Sequence, residues 1–315
     1  MAKYIIRRIA SIMIVMLLVG LIACFIVHFI PGDIAIAMLG EEASPEQIAA
    51  LRSELHLDRP ILLQYWYWLK DALHGNFGWS LQYQEEVGPL IMSRAKLTLY
   101  LGVIALVVSV VLGILLGTAC AVYRNKWPDQ LITVAANLGV SAPVFWLAII
   151  AVYVLSFKLG LFPISGFQAI SRGLGRHIRS IVLPVTILTL RPTATLVRQT
   201  RSAVLEAINQ DYVLTARSKG LKQNIILFKH VIKNAMIPII TQIGLQVRNV
   251  IGGSVLVETV FNLPGMGRLV IGSVMSKDIY VVQAVIVLIA LIVSLASMFV
   301  DISYGYFNPR VRIGK

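Results

Sequence analysis

The sequence has few charged side chains for its length. Asp, Glu, Lys and Arg make up 14% of the 315 residues, whereas 57% are hydrophobic and the mean hydropathy is +0.80. Soluble domains have about 25% charged residues, so this composition excludes an ordinary soluble protein. We therefore predict a polytopic membrane protein.

Cysteine and the motifs of hydrolytic chemistry are also scarce. The two cysteines, Cys24 and Cys120, fall in different apolar runs, so we expect no disulfide. The sequence contains no Gly-x-x-x-x-Gly-Lys-Ser/Thr loop for phosphate, and no His-Glu-x-x-His motif or close Cys/His cluster for a metal. We predict no catalytic residue, no metal site and no cofactor site on this chain, and hence no enzyme activity of its own.

Six apolar runs are each long enough to cross the roughly 30 Å of hydrocarbon in a bilayer. They cover residues 9–30, 97–122, 131–157, 181–200, 236–257 and 281–305. None shows the alternation of a membrane barrel, so we predict an all-α fold with six transmembrane helices. The first run follows Lys3, Arg7 and Arg8 and resembles a signal peptide. Its apolar core of about 20 residues and the lack of a cleavage pattern favour a retained span.

The placement of Lys and Arg predicts the orientation. With a cytoplasmic N-terminus, the inner segments hold 15 of the 28 basic residues and the longer outer loops hold 11. This satisfies the positive-inside preference and places both termini in the cytoplasm, although loop 158–180 carries four basic residues and no acidic one. Topology and anionic headgroups account for the net charge of +13, so we expect lipid contact and no nucleic-acid binding.

Residues 31–96 form an outer insertion that contains 9 of the 15 acidic residues. Ser44 to Gln47 predicts a helix start, with a capping hydroxyl, proline at the first helical position and Gln three residues after the cap. Residues 61–69 predict an aromatic-rich helix on the membrane surface, and residues 75–80 predict an ordered turn. The insertion as a whole is interpreted either as packed structure or as a docking surface for an external partner.

A basic segment, residues 199–231, separates the fourth and fifth spans and is longer than a simple connection requires. We expect a helix beginning after Asp211 to bring four apolar side chains near one another: Leu214, Leu221, Ile225 and Phe228. Gly220 costs about 1 kcal/mol inside a helix, so it predicts a break between two short helices. The segment could lie on anionic lipid or bind a partner protein, and the break favours the second interpretation.

The order of residues from this segment into the next span is distinctive. It comprises Asp211-Tyr212, Thr215-Ala216-Arg217-Ser218-Lys219-Gly220-Leu221, His230, Asn234-Ala235 and Pro238. This order resembles the cytoplasmic loop signature of ABC importer permeases, in the variant of the dipeptide, oligopeptide, nickel and glutathione subfamily, first-permease (B-type) subunit. Leu214-Thr215-Ala216 stands where the broader superfamily has Glu-Ala-Ala, which is typical of the peptide branch.

Further matches to the same family extend along nearly the whole chain. They are Pro31-Gly32-Asp33, Leu55-x-Leu57-Asp58-x-Pro60, Gly75-x-Phe77-Gly78-x-Ser80, Gly252-Gly253-Ser254, Glu258, Phe261, Pro264-Gly265-x-Gly267-Arg268, Val300-Asp301 and Asn308-Pro309-Arg310. Ile34 replaces the last proline of the family's Pro-Gly-Asp-Pro. Each match alone is weak, and the ordered set is specific.

The resemblance implies the membrane permease of an ATP-driven importer in a bacterial inner membrane. A second homologous permease, two ATPase subunits that hold ATP and Mg, and an external solute-binding protein would complete it. The cargo would be a di- or oligopeptide, glutathione or a nickel chelate. The residues that the resemblance assigns to ATPase coupling are Asp211, Tyr212, Thr215, Ala216, Arg217, Lys219, Gly220 and Leu221.

This family organisation predicts four regions: 1–30 with the first helix, the insertion 31–96, a five-helix core 97–305 that includes the basic segment, and a cytoplasmic tail 306–315. A stand-alone secondary transporter or channel is the alternative function, although no internal repeat is visible.

Three charged residues lie within or at the end of predicted spans: Arg191, Arg248 and Glu258. A charge in the bilayer is costly and is usually directed at a cavity or a partner. We therefore consider all three as candidates for the translocation pathway or a subunit interface. Pairing between helices is the alternative for the arginines, and contact with headgroups is the alternative for Glu258.

Overall fold

The structure, a computed structural model, describes residues 2–29, 32–40, 42–54, 56–80 and 82–307. It is helical apart from one short antiparallel hairpin, as the all-α prediction requires. The helices and strands are α1 (Ala2–Phe29), α2 (Ile34–Leu39), α3 (Pro45–Glu54), α4 (Ile61–Leu73), β1 (Trp79–Ser80), β2 (Glu85–Glu86), α5 (Val87–Val122), α6 (Trp127–Ser141), α7 (Val144–Ala151), α8 (Leu174–Ile208), α9 (Asp211–Ser218), α10 (Gln223–Ile225), α11 (Ile232–Val260), α12 (Met266–Met275) and α13 (Ile279–Phe307). A π-helical turn, Val152–Lys158, continues α7, another, Ile226–Val231, joins α10 to α11, and a 3-10 turn covers Ile170–Arg172.

Among the described residues, four helices are long and apolar enough to cross a membrane: α1, α5, α8 and α13. A fifth span results if α6 and α7, with its π-helical turn, are counted together, although the chain bends by 105° between them. The remaining predicted span, 236–257, lies in α11, which has 29 residues. Gln246, Arg248 and Asn249 make the middle of α11 polar, and α11 does not meet the same test of apolarity.

The observed helices extend beyond the apolar runs that predicted them. Helix α5 begins at Val87 rather than at residue 97, and α8 covers Leu174–Ile208 rather than 181–200. Pro184 and Pro192 lie inside α8. The apolar runs mark only the stretch suited to hydrocarbon, whereas the helices continue into polar sequence at both ends of α8.

The chain forms two compact units. Unit 1 contains residues 1–99 and 264–295, and unit 2 contains residues 100–263 and 296–315. The predicted insertion 31–96 therefore belongs to the same compact unit as α1 and α12. Pro31, Leu55 and Asn308-Pro309-Arg310 of the predicted motifs, with most of the predicted tail 306–315, lie outside the described residues.

Helix α4 packs on α1 through one aromatic side. Tyr65 donates its hydroxyl hydrogen to the carbonyl of Leu17 at 2.8 Å, and Tyr65 and Trp68 are buried in the core of unit 1. Trp66 and Tyr67, on the other side of α4, are exposed. The predicted aromatic helix is therefore present, and its position on a membrane surface stays a prediction.

The predicted helix start at Ser44 has the expected geometry. Ser44 Oγ accepts from the backbone N–H of Gln47 at 3.2 Å, while Gln47 Oε1 accepts from the N–H of Ser44 at 2.9 Å, which is a capping box. Asp33 caps α2 and pairs with Arg52. Burial alone would raise the pKa of Asp33, but the Arg52 guanidinium and the N–H groups of α2 outweigh burial and lower it.

Residues 75–80 form the predicted ordered turn, which leads into the β1–β2 hairpin. Gly75 and Gly78 have φ values of 86° and 93°, which favour glycine. A Cβ on Gly78 would lie 2.6 Å from the Tyr280 ring, so the close approach also requires glycine. Next to it, Ser80 donates to Asp278 at 2.6 Å, and burial raises the pKa of the Asp278 carboxyl.

Helix α8 is the centre of unit 2, with α6, α7 and α11 packed against it. Gly113 of α5 faces Leu196 of α8 so closely that a Cβ on Gly113 would lie 2.4 Å from the Leu196 Cβ. Since α8 leads directly into the basic segment, this packing fixes the base from which the segment projects.

Candidate functional site

The basic segment begins as a continuation of α8. The helix ends at Ile208, and the side-chain amide of Asn209 donates to the carbonyl of Leu205 at 3.0 Å. Helix α9 then begins at Asp211 and ends at Ser218, close to the predicted start. Asp211 lies in its first turn and Arg217 in its last, and both signs are favourable for the helix dipole.

Gly220 ends α9 in the manner that the sequence predicts. It has a φ of 74°, and the N–H of Leu221 reaches back to the carbonyl of Ala216 at 3.3 Å. This is the bond pattern of a Schellman-type cap, which glycine favours. No atom lies within 4 Å of where a Cβ on Gly220 would be, so the glycine is required by the backbone conformation rather than by crowding.

One side of the segment packs on the rest of unit 2. Val213 and Ala216 of α9, with Ile226 of the π-helical turn, are buried in a cluster that includes Val204 and Ala207 of α8. Small and β-branched side chains let these short elements approach α8 closely. The knob formed by α9, the Gly220 turn and the π-helical turn is therefore attached to α8 by an apolar contact.

The four apolar residues expected to lie near one another are all exposed. Leu214 is 68% exposed and Phe228 is 67% exposed, and Leu221 and Ile225 are exposed as well. The predicted spacing assumed one continuous helix. The reversal at Gly220 and the π-helical turn change the register, so these residues are not the ones that pack on unit 2.

The predicted coupling residues occupy both sides of this knob. Ala216 is buried and Tyr212 is half-buried, with its hydroxyl buried and without a hydrogen-bond partner among the described residues. The exposed ones are Asp211, Thr215, Arg217, Lys219, Gly220 and Leu221. The exposed set mixes charge and apolar surface, which suits contact with another protein.

Two of the three predicted intramembrane charges share a second site. Arg191 of α8 and Arg248 of α11 line one cavity of about 230 Å³ in unit 2. Glu258 is fully buried in the same unit, so its side chain faces neither headgroups nor an open surface. Headgroup contact, the alternative considered for Glu258, is therefore wrong, while a role at the pathway or a subunit interface stays a prediction.

One ion pair of unit 2 was not predicted from the sequence. Arg201 donates from Nε and Nη2 to the two carboxylate oxygens of Asp129 at 2.7 and 2.8 Å, and the N–H of Asn125 donates to Oδ2 at 3.0 Å. This pair joins α6 to α8 at the start of the basic segment. An acidic residue at the start of an apolar helix was the available signal, but it does not by itself identify a partner.

Unit 1 contains a larger cavity of about 600 Å³ in the region of the predicted insertion. Its walls include Tyr67, Trp68, Asp71, His74 and Trp79. Within the described ranges, no group of three or more His, Cys, Asp or Glu side chains could hold a metal ion. The docking surface for an external partner stays a prediction.

Comparison with known families decides what these features belong to. Residues 87–313 match the family described as binding-protein-dependent transport system inner membrane component, and residues 1–102 match the N-terminal family of the same membrane components. The chain belongs to this permease family. The permease thus has several apolar helices, and its basic segment lies within the range 87–313 that matches the family.

Curated relatives match this permease over nearly its full length. A putative peptide transport system permease protein of Brucella abortus is 37% identical over 312 residues, which cover 99% of each chain. The glutathione transport system permease protein GsiC of Salmonella typhimurium is 36% identical with the same coverage.

Two solved structures share the fold of the permease. A chain of the MetNI methionine ABC transporter in inward-facing conformations matches with a TM-score of 0.56 and 18% identity, covering 70% of this chain and 96% of that one. An amino acid ABC transporter crystallised with histidines matches with a TM-score of 0.52 and 17% identity, covering 69% and 94%. The α-helical ABC permease fold is therefore confirmed.

Proposed function

We propose that this chain is the permease subunit of an ATP-driven importer that carries peptides or a related small solute such as glutathione. The basic segment and both termini lie in the cytoplasm, and separate ATPase subunits bind the segment. A second permease and an external solute-binding protein complete the transporter. The names of the relatives support this cargo class, because they include peptide and glutathione permeases at 36–37% identity.

The observation that carries the proposal is the two-sided basic segment. Its inner side packs on α8 through Val213, Ala216 and Ile226, while Leu214 and Phe228 remain exposed on its outer side. Contiguous exposed apolar surface marks contact sites for other proteins, and Leu221 and Ile225 of the same segment are exposed as well. The outer side is therefore available to an ATPase subunit.

The same geometry supplies a route for coupling. An ATPase that moves the knob also moves α8, because the buried side chains attach one to the other. Helix α8 is 35 residues long and is packed by α6, α7 and α11, so it can carry a displacement from the cytoplasmic side into the membrane. Nucleotide and Mg are then required only on the ATPase subunits.

A single substitution tests the docking role. Phe228→Ser removes exposed apolar surface without disturbing the buried cluster, and we expect it to reduce copurification of the ATPase subunits at least severalfold. Leu73→Ser is the matched control, since Leu73 is 78% exposed and lies in unit 1. Membrane insertion of both variants, measured by yield in the membrane fraction, should equal the wild type.

Two results would contradict the proposal. One is wild-type permease that purifies from native membranes without any ATPase and transports alone, which would favour the stand-alone transporter or channel. The other is equal ATPase capture by Phe228→Ser and the wild type, with crosslinks from residue 228 to lipid only. That outcome would assign the segment to the membrane surface.

A further inference from the structure

Two arginines lie near the middle of the membrane-spanning part of unit 2. Arg191 is close to the centre of the span predicted at 181–200, and Arg248 is close to the centre of the span predicted at 236–257. The helices that carry them, α8 and α11, pack extensively on each other. Both arginines line one cavity, so two cationic groups are brought to a single place at the depth where charge is least tolerated.

Neither guanidinium is neutralised by the permease itself. Both side chains are exposed at the surface of the chain, and neither has an ion-pair or hydrogen-bond partner within the part of the chain that the structure describes. Charged side chains at this depth almost always face a water-filled cavity or the interior of a helical bundle rather than lipid. The surface that they occupy therefore faces water or protein in the assembled transporter.

The cavity walls are suited to an anionic group. Asn249 contributes an amide, and no described residue that lines the cavity is acidic. Gly252 also lines it, and no atom lies within 4 Å of where its Cβ would be, so the missing side chain leaves open space at the wall. The volume of about 230 Å³ is below the roughly 300–1,000 Å³ of pockets that enclose a whole small ligand, so one end of a solute is accommodated.

The break in the α6–α7 span adds a third source of positive potential. Helix α7 begins at Val144, directly after Pro143, and Val144 lines the same cavity. No side chain caps this helix start, so its first N–H groups and the positive end of its dipole are available. Broken membrane helices orient such N-termini toward anionic groups of transported substrates.

We propose that this cavity receives a carboxylate of the transported solute on its way across the membrane. The inference rests on the proposed importer function and names the chemical group that its pathway recognises. Peptides and glutathione both carry carboxylates. An acidic side chain of the companion permease is the competing occupant, and the two differ in whether the arginines are accessible to aqueous reagents.

The two native cysteines allow a direct accessibility test. Cys24 and Cys120 are both buried, so Cys24→Ala with Cys120→Ala provides a background in which a cysteine at position 191 is the reactive thiol. In the assembled transporter, Arg191→Cys is treated with an anionic methanethiosulfonate (sulfonatoethyl) or a cationic one (trimethylammonium-ethyl). With Arg248 present, we expect the anionic reagent to react at least about tenfold faster, after correction for its rate with free cysteine.

Matched controls connect this preference to the arginine pair and to carboxylate. Adding Arg248→Gln should remove the anionic preference, and Arg248→Lys should retain most of it. Alanyl-alanine should slow the anionic reaction, whereas its C-terminal amide, which differs by the carboxylate alone, should not. The reciprocal pair, Arg248→Cys with Arg191→Gln or Arg191→Lys, should behave in the same way.

Three outcomes would overturn the proposal. The first is no reaction with either aqueous reagent, and the second is an anionic preference that persists in Arg248→Gln. The third is that alanyl-alanine and its C-terminal amide affect the reaction equally, or that neither affects it. The first is expected if an acid of the companion permease covers the pair. Failure of the importer function itself is recognised separately, because the unlabelled wild type would then lack copurifying ATPase.

Discussion

Two parts of helix α8 have contrasting surroundings. Toward α5 and α6 it is closed, since Leu196 meets Gly113 and the Arg201 guanidinium is held by Asp129. Around Arg191 it is open, with a cavity and no partner within the described residues. Arg191 and Arg201 are about 15 Å apart along α8, at about 1.5 Å per residue.

This difference separates charges that support the fold from charges that are available to something else. Asp129 is buried and receives both nitrogens of a bidentate arginine as well as a backbone N–H, so nothing remains to be satisfied. Arg191 has the same chemistry without the partner. The contrast predicts opposite effects of identical substitutions on stability and on transport.

The largest effect on stability is expected from breaking the closed pair. Arg201→Gln leaves the buried Asp129 carboxylate without its counter-ion, which costs about 3 kcal/mol in the free energy of unfolding. We expect a lower thermal unfolding midpoint and a lower yield of the detergent-solubilised permease, measured by fluorescence-detected size-exclusion chromatography after heating.

The double variant Asp129→Asn with Arg201→Gln serves as the control for that measurement. It replaces the ion pair by two neutral amides and should recover part of the lost stability, because no uncompensated charge remains. A double variant whose loss equals the sum of the two single losses would show that the residues do not act as a pair.

The next effect concerns the glycine contact on the closed side. Gly113→Ala places a Cβ 2.4 Å from the Leu196 Cβ and forces α5 and α8 apart, at a cost of about 2 kcal/mol. Gly252→Ala is the matched helical control, since no atom lies within 4 Å of its new Cβ. The thermal unfolding midpoint should fall for Gly113→Ala and stay unchanged or rise slightly for Gly252→Ala. Equal falls would mean that helix packing is not closed at Gly113.

A smaller effect is expected at Gly220, where the surroundings are open and the backbone alone is restrictive. Gly220→Val must adopt a φ of 74°, at a cost of about 1–2 kcal/mol, whereas Gly220→Asn tolerates this region. We expect valine to reduce solute uptake per ATP hydrolysed in proteoliposomes while membrane insertion persists, and asparagine to retain coupling. Normal uptake by the valine variant would count against a coupling role of the knob.

The outcome at these sites shows what the sequence could and could not predict. The capping box at Ser44 and the break at Gly220 depend on neighbouring residues, and the structure confirms both. Leu214 and Phe228 are exposed, and the π-helical turn that follows Ile225 has no evident signal in the sequence, so the predicted grouping of the apolar residues stays a prediction.

Long-range partners were the part that local patterns could not supply. The Asp129–Arg201 pair joins residues that are far apart in the chain, and each could equally have been solvated. The burial of Glu258 was missed for the same reason. Arg191 and Arg248 were identified as unusual by their position in apolar runs, but their shared cavity required the three-dimensional packing of α8 on α11.

The smallest effect on stability is expected from Arg191→Gln, the exact counterpart of Arg201→Gln on the same helix. Because no described residue holds its guanidinium, the substitution should change the free energy of unfolding of the isolated permease by no more than about 0.5 kcal/mol. The thermal midpoint should also be unchanged in the assembled transporter, while solute uptake falls. A loss of stability that appears only in the assembly would instead identify an acidic partner on the companion subunit, and a loss in the isolated permease would contradict the open character of this side of α8.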